Sequence, residues 1–325
     1  MLRAHLDTLP AASGADLFSD YVQARQFVTT DIAGMIGTAE PNLTDHSERH
    51  LADVMSRAHA LIGEQTKYFS PSELYLLCIS ILFHDVGNLH GRTDHQKKIA
   101  GIYDALRKRE PRFKSERTGV LAIAGAHCGS AKDGSKDTLK DLDRLSFHAQ
   151  SVRSHEVAAV LRLADELAEG IQRTSAYMQN HGMFKPEAAM FHKYASITEY
   201  CIERGDERIA LTYDIDIERG GGQFEAGHGI LLKDLLGFTY KRIIKLDQER
   251  RYCKHYCDLL SPFKETGAWF RFWLDGQQLE LDIKPIAISD LIVPGDLAKN
   301  IEQLDPRYEI SSLVSALANA CGGNP

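Results

Sequence analysis

The ten residues from Leu74 to Phe83, LYLLCISILF, are apolar almost without interruption, and they follow SPSE at 70–73. A helix that is hydrophobic on nearly every side belongs inside a helical core, not on its surface. Its start is marked by Ser70 as N-cap, Pro71 in the first helical position and Glu73 completing a capping box. Gly87 and Asn88 are the residues expected to end or bend it. Ahead of it, residues 45–62 (DHSERHLADVMSRAHALI) place Leu51, Val54, Met55, Ala58, Leu61 and Ile62 on one helical face, with Thr44 or Asp45 as N-cap. Residues 95–108 and 114–127 read as further helices. So do residues 150–170, through Val157, Val160, Leu161, Leu163, Ala164 and Leu167. GSAKDGSKD at 129–137 is a polar loop. Up to about residue 190 the pattern predicts helices and no strand.

The period then changes. ASITEYCIE (195–203) and RIALTYDIDIE (208–218) alternate and are rich in β-formers, with only RGDE between them, so a hairpin is expected. RGGGQFEAGHG (219–229) reads as a glycine-rich connection, and it lacks the Lys-Ser/Thr ending of a P-loop. Residues 230–260 form a long amphipathic helix. AWFRFWLDG and QQLELDIKPIAI (268–288) read as a second hairpin turning at DG. The alternating WFRFW suits packing or a dimer contact. The expected fold class is therefore mainly α. A helical domain over 1–190 precedes a small α+β domain over 191–325, ordered strand, strand, helix, strand, strand, with an oligomerisation or regulatory role.

Composition narrows the function. The chain has 325 residues, 43% hydrophobic and 26% charged, which suits a folded soluble protein of one large or two ordinary domains. A net charge of −7 disfavours broad binding to a nucleic-acid backbone, while leaving room for a local basic pocket around a small phosphate ligand. The opening MLRAHLDTLPAASGADLF has no continuous apolar segment of the signal-peptide kind, and no stretch approaches the roughly 18 apolar residues of a membrane span. Six scattered cysteines show no small-protein disulfide framework. No membrane partner and a cytoplasmic location are expected.

Histidine is the unusual count. There are 14, and nine lie between His46 and His155. His50 stands at the edge of a buried stripe, His84 and Asp85 finish the apolar run in ILFHDVGNLH, His127 ends VLAIAGAH, and Asp165 is embedded in LRLADELAEG. Burying unpaired imidazoles and carboxylates is costly, so a bound cation is a physical reason to keep them at such places. Neutral imidazoles with carboxylates suit first-row divalent ions. Cys253 and Cys257, with His255 between them and His228 upstream, fall short of the four convergent ligands that zinc requires, and amphipathic packing explains them with less.

In this pattern residues 44–174 resemble the HD superfamily of metal-dependent phosphohydrolases: a His on one helix, a His-Asp doublet on a buried helix, and a late Asp. His50 in HLADV, His84 and Asp85 in FHDVGN, and Asp165 in LRLADEL match in turn. The resemblance implies His50, His84, Asp85 and Asp165 as ligands of a divalent metal ion (Mn, Mg, Fe, Ni, Co or Zn), with a second ion as an open alternative. His95 in TDHQKK is similar to a second-metal ligand or phosphate contact, for which His90 is an alternative. His127 is similar to a middle His of members with extra ligands. Many of those carry a His-His pair where this chain has His127-Cys128. AHCGSAKDG also lacks the signature of cyclic-dinucleotide hydrolases.

The implied chemistry is metal-assisted attack of water on phosphorus. Asp85 holds the ion and orients the water. His95 or His127 protonates the leaving oxygen. Arg92, Lys97, Lys98, Arg162 and Arg173 are the cations near these motifs that offset phosphate charge. The expected function is hydrolysis of a nucleotide phosphoester by a homo-oligomer. First in order is a deoxynucleoside triphosphate, giving nucleoside and triphosphate. The alternatives are a phosphodiesterase of cyclic nucleotides or short oligonucleotides, a nucleoside monophosphate phosphatase, and a non-catalytic nucleotide-sensing module.

Overall fold

The structure is a computed structural model that describes residues 16–65, 67–220, 223–227, 229–291 and 300–321. The opening fifteen residues and His228 therefore lie outside the described residues. The chain divides into two compact units, the first comprising Met1–Ala168 with Tyr252–Ser261 and the second Glu169–Arg251 with Pro262–Pro325.

The first unit is helical. Helix α1 (Leu17–Phe27) continues through a π-helical segment (Val28–Ala33) into α2 (Gly34–Ala39), followed by α3 (Glu48–Ile62), α4 (Pro71–Phe83), α5 (Ile99–Arg107), α6 (Lys114–Gly125) and α7 (Ser154–Glu166). Every residue of α4 from Ser72 to Phe83 is buried, and the helix packs against α1, α6 and α7. This is why its sequence has no polar face. The expected capping box is present: the Ser70 hydroxyl accepts from the Glu73 N–H, and Glu73 accepts from the Ser70 N–H at 2.8 Å. Glu73 does further work. Both its oxygens receive the Arg153 guanidinium at 2.8 Å, tying the start of α4 to the residue before α7. Burial alone would raise the Glu73 carboxyl, but Arg153 and the backbone donors hold it below its usual range.

Two local expectations are corrected. The N-cap of α3 is Ser47, which accepts from Arg49 N–H; Asp45 instead accepts from the Ser47 N–H and hydroxyl, supporting the cap from one step back. The helical unit also contains a hairpin, β1 (Leu145–Phe147) and β2 (Gln150–Val152), antiparallel with Phe147 opposite Gln150. His148 and Ala149 both adopt positive φ at its turn. Such turns normally announce themselves with Asn or Gly, so this one left no sequence signal.

In the second unit α8 (Ala176–Asn180) and α9 (Pro186–Ile197) precede the strands β3 (Thr198–Glu203) and β4 (Arg208–Asp216), the predicted hairpin. Ala195 to Ile197, expected in the first strand, complete α9 instead. Short strands β5 (Glu218–Gly220) and β6 (Gln223–Glu225) pair where a loop was expected. The long helix α10 (Leu232–Tyr256) leads to β7 (Glu265–Leu274), which pairs parallel with β4 from Arg208↔Glu265 to Asp216↔Trp273. Parallel neighbours require such a crossover. The second hairpin turns at Asp275-Gly276, both at positive φ, into β8 (Gln277–Gln278). It then breaks off, and β9 (Ile286–Ser289) pairs with the other end of β7. Pro285 stands just before β9, and proline cannot donate to a ladder. Helices α11 (Ile301–Leu304) and α12 (Ile310–Ala320) follow. Cys253 and Cys257 are buried. The observed class is thus the expected one, a helical part followed by a small strand-rich part. The second unit begins at Glu169, so residues 169–190 cluster with the strands and not with the helical part. No helix among the described residues is long and apolar enough to cross a membrane.

Candidate metal centre

Helix α4 ends at Phe83. His84 keeps helical angles, and Asp85 turns out of the helix (φ −109°, ψ 1°) into a 3-10 turn over Val86–His90. The doublet therefore sits at the distortion that lets two adjacent side chains face one region, which regular helical spacing of about 100° per residue would prevent. Asn88 is fully buried in that turn.

Four histidines share one device. His46, His84, His95 and His127 each direct Nδ1 at a backbone carbonyl two or three residues upstream: Thr44, Ile81 (2.8 Å), Arg92 (3.1 Å) and Ala124 (2.6 Å). A carbonyl only accepts, so the proton is on Nδ1, and Nε2 faces inward. This is how metal-binding imidazoles are commonly oriented.

Asp85 lies at the centre of these rings. Its Oδ2 is 3.4 Å from His46 Nε2, 3.6 Å from His50 Nε2 and 3.3 Å from His84 Nε2. Asp165 Oδ1 closes the same group, 3.4 Å from His50 Nε2 and 3.5 Å from His84 Nε2. The other oxygen, Oδ1, is 2.9 Å from His95 Nε2 and 3.6 Å from His127 Nε2. His95 and His127 approach each other at 3.3 Å, and Cys128 Sγ lies 3.6 Å from His95 Nε2. Two donor groups result, His50–His84–Asp85–Asp165 and His95–His127–Cys128, each with its donor atoms within 4.8 Å of one another. Sequence distance hides this: α3, the end of α4 and α7 supply the first group, and the residues just before α5 and just after α6 supply the second.

The donor set fits a divalent cation. Both ring nitrogens of His50, His84 Nε2 and Asp85 Oδ1 are buried without a well-aligned hydrogen bond. Buried polar atoms in that condition cost free energy that a cation would recover. Nitrogen and carboxylate oxygen are the donors that first-row divalent ions take.

The charges are strongly coupled. Burial opposes ionisation of Asp85, but His84 and its neighbours hold the carboxyl well below its usual range, and His50 and His84 do the same for Asp165. Burial likewise opposes the charged form of His84, yet Asp85 and Asp165 raise it to about 9. His95 and His127 are raised by Asp85 and Cys128 against the same penalty. The Cys128 thiol, which burial alone would raise, falls to about 6 beside His127 and His95.

These directions predict the pH behaviour of the metal-free chain. His84 is raised above 6.5, so its contribution to stability is complete below that value and is lost as pH rises through about 9. Asp85 and Asp165 are depressed below 3.8, so their contribution is present above that value and is lost as pH falls. Cation binding needs a neutral imidazole and must expel the His84 proton. Manganese added to chelator-stripped protein at neutral pH is expected to release protons, with apparent affinity rising up to about pH 9. A pH-independent affinity with no proton release would contradict the coupling.

The remaining candidates are placed differently. Arg92, half-exposed, puts Nη1 3.7 Å from Asp85 Oδ1 and 3.3 Å from Asn88 Oδ1, at the rim of the centre. His90 is exposed. Lys97 pairs with Asp94 on an exposed face. Lys98 holds the His90 and Gly91 carbonyls. Arg162 donates to Thr138 Oγ1 at 2.8 Å, and Thr138 in turn donates to the Ala126 carbonyl beside His127, so Arg162 props the loop. Arg173 is buried in the other unit. Three participants carry more than the sequence suggests. From its place one turn before His50, His46 is open between a supporting partner and a capping or surface role, Asn88 reads as a helix end, and Cys128 as a departure.

The HD-CE family model matches residues 40–244, more than half of the chain. That span includes every residue of both donor groups. No curated protein matches the chain.

Proposed function

The chain belongs to the HD-CE family, and from that premise we propose that it is a metal-dependent phosphohydrolase acting on a nucleotide phosphoester. The observation that carries the reading is Asp85, buried, with one oxygen toward each donor group and Arg92 beside it at the rim. His50, His84, Asp85 and Asp165 would hold the cation. Once bound, the cation supplies Lewis-acid polarisation of a phosphoryl oxygen and activation of water near neutral pH.

The chain's own residues do the rest. Asp85 keeps its carboxylate ionised against burial and orients the incoming water. Arg92 meets the substrate phosphate with a guanidinium, steadied by Asn88. His95 and His127 stand on the opposite side of Asp85, where a leaving oxygen would take its proton. That role and cation ligation exclude each other, because Nδ1 is committed to a carbonyl and only Nε2 faces the centre.

The substrate we propose is a deoxynucleoside triphosphate, cleaved to nucleoside and triphosphate. An acidic chain with one local arginine suits a small anion better than a long polymer. A phosphodiesterase of cyclic nucleotides or short oligonucleotides is the second reading, favoured by the two donor groups sharing Asp85, since paired cations clamp both oxygens of an in-line displacement. A nucleotide screen with Mn²⁺ or Mg²⁺ and mass-spectrometric product analysis separates them. Released triphosphate supports the first. Opening of a phosphodiester with no triphosphate released from any nucleotide overturns it in favour of the second. Failure to hydrolyse either class at full metal occupancy leaves a nucleotide-sensing module. The small strand-rich unit, in this scheme, serves oligomerisation or regulation.

A further inference from the structure

The His95–His127–Cys128 group differs chemically from the first in one respect: it contains sulfur. Its spacing is also informative. Zinc–nitrogen bonds of about 2.0–2.1 Å and a zinc–sulfur bond of about 2.3 Å, at tetrahedral angles, place two nitrogens about 3.3 Å apart and a nitrogen and a sulfur about 3.6 Å apart. His95 Nε2 and His127 Nε2 are separated by 3.3 Å, and Cys128 Sγ and His95 Nε2 by 3.6 Å. A fourth donor faces the same space. Asp85 Oδ1 is buried, lacks an aligned hydrogen bond, and lies 2.9 and 3.6 Å from the two imidazole nitrogens, bracketing the separation expected of a tetrahedral partner. Both rings are locked by their Nδ1 bonds, so the nitrogens are already aimed.

We propose that the second cation which the resemblance leaves open, facing His95, His127 and Asp85 Oδ1, takes Cys128 as a thiolate ligand, and that this sulfur makes the site selective for a thiophilic divalent ion of the zinc class. The His50–His84–Asp85–Asp165 group, with nitrogen and oxygen donors only, takes a harder ion such as manganese. The two sites are therefore unlike, because thiolate favours zinc-like ions where carboxylate and imidazole are less discriminating. Four protein donors also make the second site closed, in the manner of structural zinc. Of the two roles that exclude each other, His95 and His127 then take ligation, and a bound ion would position Asp85 and add positive charge next to it. The inference rests on reading the first group as a cation site.

The test uses the full chain, stripped with chelator and reloaded with cobalt(II). Wild type is expected to develop a near-ultraviolet thiolate-to-cobalt charge-transfer band within two equivalents. Cys128→Ser loses that band, His50→Ala keeps it, and Cys201→Ser, altering an exposed cysteine, keeps it too. X-ray absorption of the wild type loaded with zinc at the second site should show one sulfur in the zinc shell, a measurement independent of whether any variant folds. A wild type without the band, a band surviving in Cys128→Ser, or a zinc shell of nitrogen and oxygen alone overturns the proposal. The outcomes separate from the phosphohydrolase reading. A sulfur-bearing site in a protein that hydrolyses no nucleotide overturns only the latter. Nucleotide hydrolysis without sulfur ligation overturns only the former.

Discussion

Asp85→Asn is expected to lower nucleotide hydrolysis by about 10²–10³-fold, the scale on which a principal electrostatic stabiliser matters, and to lower bound metal at both donor groups together. The amide keeps the size of the carboxylate but not its charge. It also meets five imidazoles, those of His46, His50, His84, His95 and His127, with one acceptor oxygen in place of two. An ion that binds only the folded chain stabilises it by about 2.7 kcal/mol at a concentration one hundred times its dissociation constant. The metal-dependent rise in melting temperature should therefore vanish in the variant. Elemental analysis and thermal melts with and without manganese check both halves. A variant that keeps its metal and its activity would remove Asp85 from the centre altogether.

Gly87→Ala is expected to fail for a reason the sequence does not reveal. Glycine after a helix suggests a left-handed cap, yet Gly87 is not among the positive-φ residues, so alanine would suit its backbone angles. The obstacle is space. A Cβ at position 87 would overlap the His95 carbonyl oxygen and crowd the carbonyl carbon behind it. Backbone atoms cannot swing aside as a long side chain can. Overpacking of this kind costs about 1–3 kcal/mol or more, and relief requires moving His95 away from Asp85. Cation binding at the His95–His127–Cys128 group should weaken, while the group on His50, His84 and Asp165 keeps its ion. Melting temperature and metal stoichiometry measure the two effects; a variant with wild-type values for both would mean that the His95 segment moves without consequence.

Much of this was legible because it is local. The capping box at Ser70, the buried character of Leu74–Phe83, the β3–β4 hairpin and the Asp275-Gly276 turn follow from residues within a few positions of one another. The β1–β2 hairpin was not legible, because its turn uses His148 and Ala149 at angles usually left to Asn or Gly. Nor was the pairing of β4 with β7, whose partners lie 57 residues apart at Arg208 and Glu265. Alternation identifies a strand's faces but not its neighbour.

By itself the sequence singled out the candidate side chains. His50, His84, Asp85 and Asp165 stood out because imidazoles and carboxylates are costly inside apolar helices, and their order along the chain carried a family resemblance. The tertiary structure alone decided how they are shared. Periodicity specifies the face a residue occupies, while distances between helices depend on packing. Only packing puts one oxygen of Asp85 toward His50 and His84 and the other toward His95 and His127, brings Cys128 to the second group, and pairs Lys97 with Asp94 on an exposed face.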